Sequence, residues 1–464
     1  MINRRKFLKM GGAGLGVATG FASNLASFNA YGADTTGYKA LVCVFLRGGQ
    51  DGHDVVIPYD IGSSNSYEQI RANLIDRYAQ SRRRDNLLRL QGGDRGNGSI
   101  ADGREFAMPR DFEALHSLYQ QGNMAIVGNV GPLIEPTTGL MFSNGSAKRP
   151  PRLFSHNDQQ SIWMASSPEG ATEGWGGRFG DLTSSANQTA SFTSVSTAGS
   201  PVFSNGFNTN TFNLSTSGGL SLDSLNDNSF LGSDAFAQAY QHNVYGNIDD
   251  HTQYIAQDIV DLTGSAVDNN NIISDVFNNT RNTLTDFPGD NPLADQLAVV
   301  ARMIANRDIL GMRRQIFFVS ERGYDTHSGQ FEALSERQPR LSEAIAAFYQ
   351  ETKALGIENN VTTFTASDFG RSLVPNSSGT DHGWGSHHLV VGGAVNGGRI
   401  FGNIPEAEVG HNQDAGRGRL VPEISVDQYA CALGHFYGLT MSECLDTLPN
   451  LDRFDAGALF GMFS

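Results

Sequence analysis

Cysteine is almost missing from this chain. Three residues in 464, Cys43, Cys431 and Cys444, are too few and too scattered for a disulfide framework or a zinc–thiolate cage. Cys43 lies inside an apolar run and reads as a small buried hydrophobe. Cys431 and Cys444 are the one pair that an oxidising compartment could join. Positive charge is also short: 33 Lys+Arg against 48 Asp+Glu leave a net charge of −15. That balance argues against nucleic acid as a partner, because phosphate backbones are held by clustered Lys and Arg. It suits solubility and cation binding, and it repels polyanionic substrates unless a metal or an arginine cluster offsets it locally. Beyond the first 33 residues no apolar stretch is long enough to span a bilayer, so no transmembrane segment is expected there. Glycine is the opposite case. Its 54 residues, beside a 39% hydrophobic content, describe a loop-rich globular chain rather than a disordered one.

The amino terminus has a pattern of its own. Asn3-Arg4-Arg5-Lys6-Phe7-Leu8-Lys9 precedes a weakly apolar, Gly/Ala-rich run from Met10 to Ala26, and small residues near Ala30 to Ala33 offer a cleavage point. That order is the order of a twin-arginine export signal. Residues 1–33 are therefore expected to be the signal peptide, and 34–464 a single α/β domain exported already folded to the periplasm or beyond. The signal holds Arg4, Arg5, Lys6 and Lys9 and no acidic residue, so losing its four positive charges takes the net from −15 to −19.

Residues 39–46 (KALVCVFL) form an unbroken apolar run, the mark of a strand buried on both faces in a parallel sheet. Further strands are expected at 124–130, 315–319 and 361–365, with helices at about 111–121, 291–309, 340–355 and 425–445. The third of these helices shows Leu341, Ile345, Phe348 and Leu355 at helical spacing and a stop at Gly356. Residues 389–393 and 399–402 look like a closing pair of strands. The stretch from about 60 to 108, with Arg82-Arg83-Arg84, reads as a surface excursion. From about 181 to 290 Ser, Thr and Asn dominate, yet Phe, Leu and Val recur, which describes an ordered insertion at a substrate mouth or an interface. Strands alternating with helices point to an α/β fold: a doubly wound, mostly parallel sheet with helices on both faces.

Chemistry-bearing residues recur just after the apolar runs, where open α/β sheets place their ligands. Asp51, His53 and Asp54 follow the first strand among glycines that allow close backbone approach. Asp325 and His327 follow the third, and Asp368 and Arg371 the fourth. Asp381, His382, His387 and His388 then crowd into eight positions. Carboxylates and imidazoles together are what divalent metals recruit, so Asp51, Asp325, His327, Asp368 and His387 are the candidate ligands and His382 a ligand or acid/base. Arg371 is placed to pair with Asp368 or to clamp an anionic substrate. Adjacent His387 and His388 should send their rings to opposite faces, with His387 the inward one. Ser155 stands at a probable helix start with Asp158 three residues on. It is either a helix cap or a nucleophile where amide donors stabilise a developing alkoxide, with His156 and Trp163 lining the same pocket.

These segments carry a resemblance. The export signal, VFLRGGQDG, LFSHNDQQSIW, GYDTHSGQ, SDFGR and DHGWGSHH with GGAVNGGRIFG together resemble an uncharacterised family of twin-arginine-exported bacterial proteins, usually grouped with the alkaline phosphatase/sulfatase superfamily. The resemblance implies an alkaline phosphatase-like fold and a bimetal site, usually zinc, sometimes manganese or calcium. It implies that Asp51 binds metal, that Ser155 is the nucleophile, that Asp325 and His327 are a paired ligand set, and that His382 or His387 supplies a downstream ligand. The superfamily's Asp-His pair is here Asp368-Phe369, and the 325/327 spacing is short, so the site is expected to hold two ions, one, or none.

The function expected is hydrolysis of a phosphate or sulfate ester by a metal-dependent enzyme, its partner a small-molecule ester. The alternative is a non-catalytic exported protein that keeps the fold to bind a protein partner. A metal-free serine hydrolase is weaker, since no G-x-S-x-G elbow surrounds Ser155. Replacing both Arg4 and Arg5 with Lys should leave the protein in the cytoplasm on cell fractionation; undiminished export would remove the twin-arginine reading.

Overall fold

The apolar run at the start of the chain becomes an inner strand of the main sheet. In this computed structural model residues 32–91, 104–216, 254–280 and 283–464, with Gln238, are described; the export-signal reading of residues 1–33 falls outside them save for its last two positions. The fold is mixed α/β, with a nine-stranded, mostly parallel central sheet. Its strands are β1 (Lys39–Arg47), β5 (Met124–Gly131), β6 (Ser194–Ser196), β7 (Phe212–Asn213), β8 (Arg314–Arg322), β9 (Val361–Ser367), β12 (Ser386–Val391), β13 (Arg399–Phe401) and β14 (Ile424–Ser425). They run in the order β13-β5-β12-β9-β1-β8-β6-β7, with β14 beside β5. Two smaller sheets stand apart: β2 (Ile57–Pro58), β4 (Phe106–Met108) and β3 (Leu88–Arg89), and the hairpin of β10 (Arg371–Pro375) with β11 (Thr380–His382).

β1 shows why the sheet is covered twice. Side chains alternate along a strand, so Ala40, Val42, Val44 and Leu46 enter one core and Leu41, Cys43 and Phe45 the other. The first core is closed by α1 (Glu113–Gln120), α5 (Pro292–Ala305) and α6 (Gln330–Ala354) through Leu115, Leu297 and Phe348. The second is closed by α2 (His156–Ala165), α3 (Trp175–Thr183) and α7 (Val426–Tyr437) through Trp163, Phe179 and Leu433. The remaining long helix, α4 (Tyr254–Asn279), reaches the first core through Ile273. All three cysteines are buried and free, and no described helix is long and apolar enough to cross a membrane.

Several local expectations change. β12 and β13 do not pair with each other, because β5 lies between them, antiparallel to β12 and parallel to β13. α6 begins at Gln330 and runs through Pro339 rather than starting after it. Leu334, Leu341, Ile345 and Phe348 are buried along it, and that packing outweighs the hydrogen bond Pro removes. The C-terminal helix breaks at Gly438, whose φ of 111° only glycine adopts easily, and resumes at Met441–Thr447. Residues 60–108 are not all surface. Arg82 is buried in an ion pair with Asp54, and Tyr67, Ile75 and Ala107 form a small core; residues 92–103 lie outside the described set. Of the 181–290 stretch, β6 and β7 extend the main sheet beside β8.

β9, β1 and β8 are parallel neighbours, so the loops that follow them leave from one edge. Gly48 turns the first loop at φ +115°, and a Cβ there would lie 2.3 Å from the Asp325 backbone nitrogen. Gly48→Ala is therefore expected to lower stability by about 2 kcal/mol or more, read by thermal melting, with the clash added to a left-handed strain of order 1–3 kcal/mol. An unchanged melting temperature would mean the two loops do not meet this closely.

Candidate metal centre

Three side chains from three separate segments meet outside the ends of β1, β8 and β9. His156 opens α2, Asp325 follows β8, and His382 ends β11. Their ligand-capable atoms all lie within 4.8 Å of one another. His156 Nε2 is 3.4 Å from Asp325 Oδ2, and His382 Nε2 is 3.2 Å from Asp325 Oδ1.

Hydrogen-bond partners decide which ring nitrogens carry hydrogen. His382 Nδ1 lies 2.7 Å from the carbonyl of Phe154, which can only accept, so Nδ1 donates and Nε2 holds the lone pair. His156 Nδ1 lies 2.7 Å from Asp368 Oδ2, an oxygen that also accepts from Gln160 Nε2 at 2.8 Å. The same logic turns the His156 Nε2 lone pair towards Asp325. Lone pairs facing a carboxylate repel unless positive charge sits between them, as a proton on the rings or one shared cation. The hydrogen bond to Asp368 raises the His156 pKa, and burial lowers that of His382. Burial would raise the Asp325 pKa, but the Arg371 bond and the neighbouring imidazoles outweigh it, and the carboxyl stays low.

A carboxylate behind a histidine is the usual outer support of a metal-bound imidazole. Asp368 has that place: it is fully buried and fixes His156 from behind. Its second oxygen, Oδ1, is buried without a hydrogen-bond partner among the described residues. Phe369 lies against both rings, with centroids 4.8 Å from His156 and 4.4 Å from His382.

The other candidates are placed as follows. His327 joins the rim: its Nε2 is 2.8 Å from His382 Nε2 and 3.2 Å from Asp325 Oδ1. Asp51 is drawn away. Its carboxylate is 2% exposed, grips Arg71 with both oxygens at 2.7 and 3.1 Å, and accepts from Gln330 Nε2 at 2.8 Å. Asp54 is likewise engaged by Arg82 and Tyr78, and His53 meets the Gly418 carbonyl. His387 and His388 are both buried, and burial lowers both pKa values to about 3. His387 Nδ1 accepts from the Asn129 N–H, while the His388 ring packs on Trp163 and Tyr429. Neither belongs to the three-residue cluster. Arg371 pairs with Asp325 at 2.9 Å rather than with Asp368, and its remaining donors go to Gly48 and Thr380. Four of its five N–H donors are so used, and at 1% exposure it positions the loops rather than facing a substrate.

Ser155 precedes α2 but does not cap it: its hydroxyl donates to Asp158 Oδ2 at 3.0 Å, and no amide donates to it. Trp163 is buried in the second core, away from the centre. Residues passed over in the sequence matter here. Gln160 sits one helical turn from His156 and reaches the same Asp368 oxygen, a juxtaposition that i, i+4 spacing could have suggested. The partners Arg71, Gln330 and Thr380 left no such local signal.

Residues 38–417 match a family described as "Protein of unknown function (DUF1501)". The chain belongs to that family. No curated protein matches it. Among solved structures it is similar to a sulfatase-like protein of Bacteroides thetaiotaomicron, described under the metabolism of multiple glycosaminoglycans. That likeness has 10% identity over 88% of this chain and 74% of the other, and a TM-score of 0.33, too low to establish a shared fold.

Asp51 and Arg71 form a nearly fully buried pair. Asp51→Ala should leave the guanidinium unpaired and cost about 3–5 kcal/mol, measured by chemical denaturation. A loss below about 1 kcal/mol, together with a fall in metal content, would return Asp51 to the ligands.

Proposed function

We propose that this DUF1501 protein is a metal-dependent hydrolase of phosphate or sulfate esters, exported by the twin-arginine route to the periplasm, on an alkaline phosphatase-like, doubly wound scaffold. The observation that carries the reading is the convergence of His156 Nε2, Asp325 and His382 Nε2 within 4.8 Å, with both histidines anchored through Nδ1. Two imidazoles and one carboxylate, with an open side, suit zinc in a catalytic site better than calcium, which prefers oxygen donors, and manganese remains compatible. His327 stands at that open side as a further donor. One divalent ion fits this donor set; Asp51 and His387, both engaged elsewhere, do not supply a second site.

A bound zinc would polarise the ester and offset the charge of the transferring group. The chain's own residues do the rest. Ser155 is the candidate nucleophile, one residue before His156, and Asp158, buried and 3.0 Å from its hydroxyl, accepts the proton. Asp368 and Gln160 hold His156, Phe154 holds His382, and Arg371 keeps Asp325 ionised.

Elemental analysis of the purified full chain should find one divalent metal per molecule. Asp325→Ala should abolish it and cut hydrolysis of generic aryl phosphate or sulfate esters by about a hundredfold or more, while Ser155→Ala should lose activity but keep metal. A folded protein that takes up no zinc, manganese or calcium, and hydrolyses neither ester class, would leave the binding-protein alternative in its place.

A further inference from the structure

Beside the metal centre, on the other side of Gln160, the surface opens into a cleft of about 310 Å³. Gln160 belongs to both. Its amide nitrogen supports Asp368, and its carbonyl accepts from Arg47 Nη1 at 3.3 Å. One face of α2 lines the cleft with Asn157, Gln160, Ser161 and Met164, at helical spacing, and Ser200 and Val202 form part of the facing wall.

Arg47 sets the character of this space. It ends β1, and its guanidinium lies over the rings of Phe45 and Phe318 at 5.7 and 5.9 Å, which hold it in place. Its protein partners are neutral: the Ser320 hydroxyl at 3.2 Å and the Gln160 carbonyl. Among the described residues no carboxylate lies within ion-pair distance of it. Its register partner across the sheet is another cation, Arg322. The direct side-chain partners of Arg47 are neutral and the nearby Asp368 is reached only through Gln160, so a half-buried guanidinium in a chain of net charge −15 presents positive charge to the cleft. Asn157, Gln160, Ser161 and Ser200 add amide and hydroxyl groups, which meet sugar hydroxyls, and Met164, Val202 and smaller apolar residues supply a C–H face of about equal weight. Among the described residues no aromatic ring lines it, so these offer no stacking platform. Its volume lies at the small end of ligand sites. Glu169 at the rim disfavours a second negative charge.

We propose that this cleft binds a hydroxylated group of monosaccharide size carrying one negative charge, with Arg47 as the anion contact. Its position beside the metal centre makes that group the portion of the ester next to the bond cleaved, which rests on the hydrolase reading; the binding itself does not.

Titration calorimetry of the chelator-treated full chain with D-glucuronate and D-glucose tests it without calling on catalysis. Glucuronate should bind at least about tenfold more tightly than glucose, and Arg47→Gln should erase that preference, since a charge-assisted bond is lost. Ser200→Trp, at an exposed wall position, should block glucuronate at the loss of one bond from Asn213 of the edge strand β7, and it decides the matter if the Arg47 variant fails to fold. Equal binding of the two sugars, no binding, or a preference that survives these variants would overturn the proposal. Glucuronate binding that depends on Arg47 in a protein with no esterase activity would leave the cleft standing and remove the hydrolase reading. Hydrolysis without any sugar preference would do the reverse.

Discussion

One buried guanidinium ties the site together. Arg371 is 1% exposed and reaches the Gly48 carbonyl of the loop after β1, Asp325 of the loop after β8, and Thr380 of the β11 hairpin strand. A buried cation must find such partners, because leaving one unmatched costs several kcal/mol. Three loops are thus held in one register by a single side chain. Gly48 and Gly49 make the contact possible, since a Cβ at either would strike Asp325 or Phe369. Asp325 is kept ionised on one side by Arg371 and presents its carboxylate to two imidazoles on the other.

Charge is layered around that contact. Behind it, Asp51 and Arg71 close a buried pair, and Gln330 links Asp51 to Thr380 and so to Arg371. Deeper still, Asp54 is met by Arg82, Tyr78 and Gln338. To the side, Asp368 supports His156. An acidic chain has thereby placed Arg71, Arg82 and Arg371 inside against aspartates, whereas buried Arg314 is met by backbone carbonyls and Arg47, at the cleft, by neutral side chains. The local field around the site is set by these placements rather than by the net charge.

Much of this was legible before the fold was known. The run at 39–46 had no polar interruption, which only a strand covered on both faces allows. Asp325 and Asp368 stood directly after such runs, and His382 lay in the densest cluster of titratable residues. Other residues have partners that the sequence did not show. Asp51 had the motif position of a ligand, but an arginine twenty residues on takes both of its oxygens. His387 lay beside a flexible turn, yet β12 buries it against Asn129. The helix expected at about 340–355 begins at Gln330, because residues buried on both sides of Pro339 carry it through.

The sequence alone determined that the runs at 39–46, 124–130, 315–319 and 361–365 would be strands, because side-chain periodicity is a local property written over a few neighbouring residues. It also put aspartates and histidines, rather than thiols, directly after those runs. Only the tertiary structure decided which of those aspartates are free to act. His156 and Asp368 are 212 residues apart, Arg371 and Asp325 are 46 apart, and Gln330 and Asp51 are 279 apart. The character of a carboxylate depends on the partner within 3 Å, and that partner is chosen by the packing of the whole sheet rather than by any neighbour along the chain.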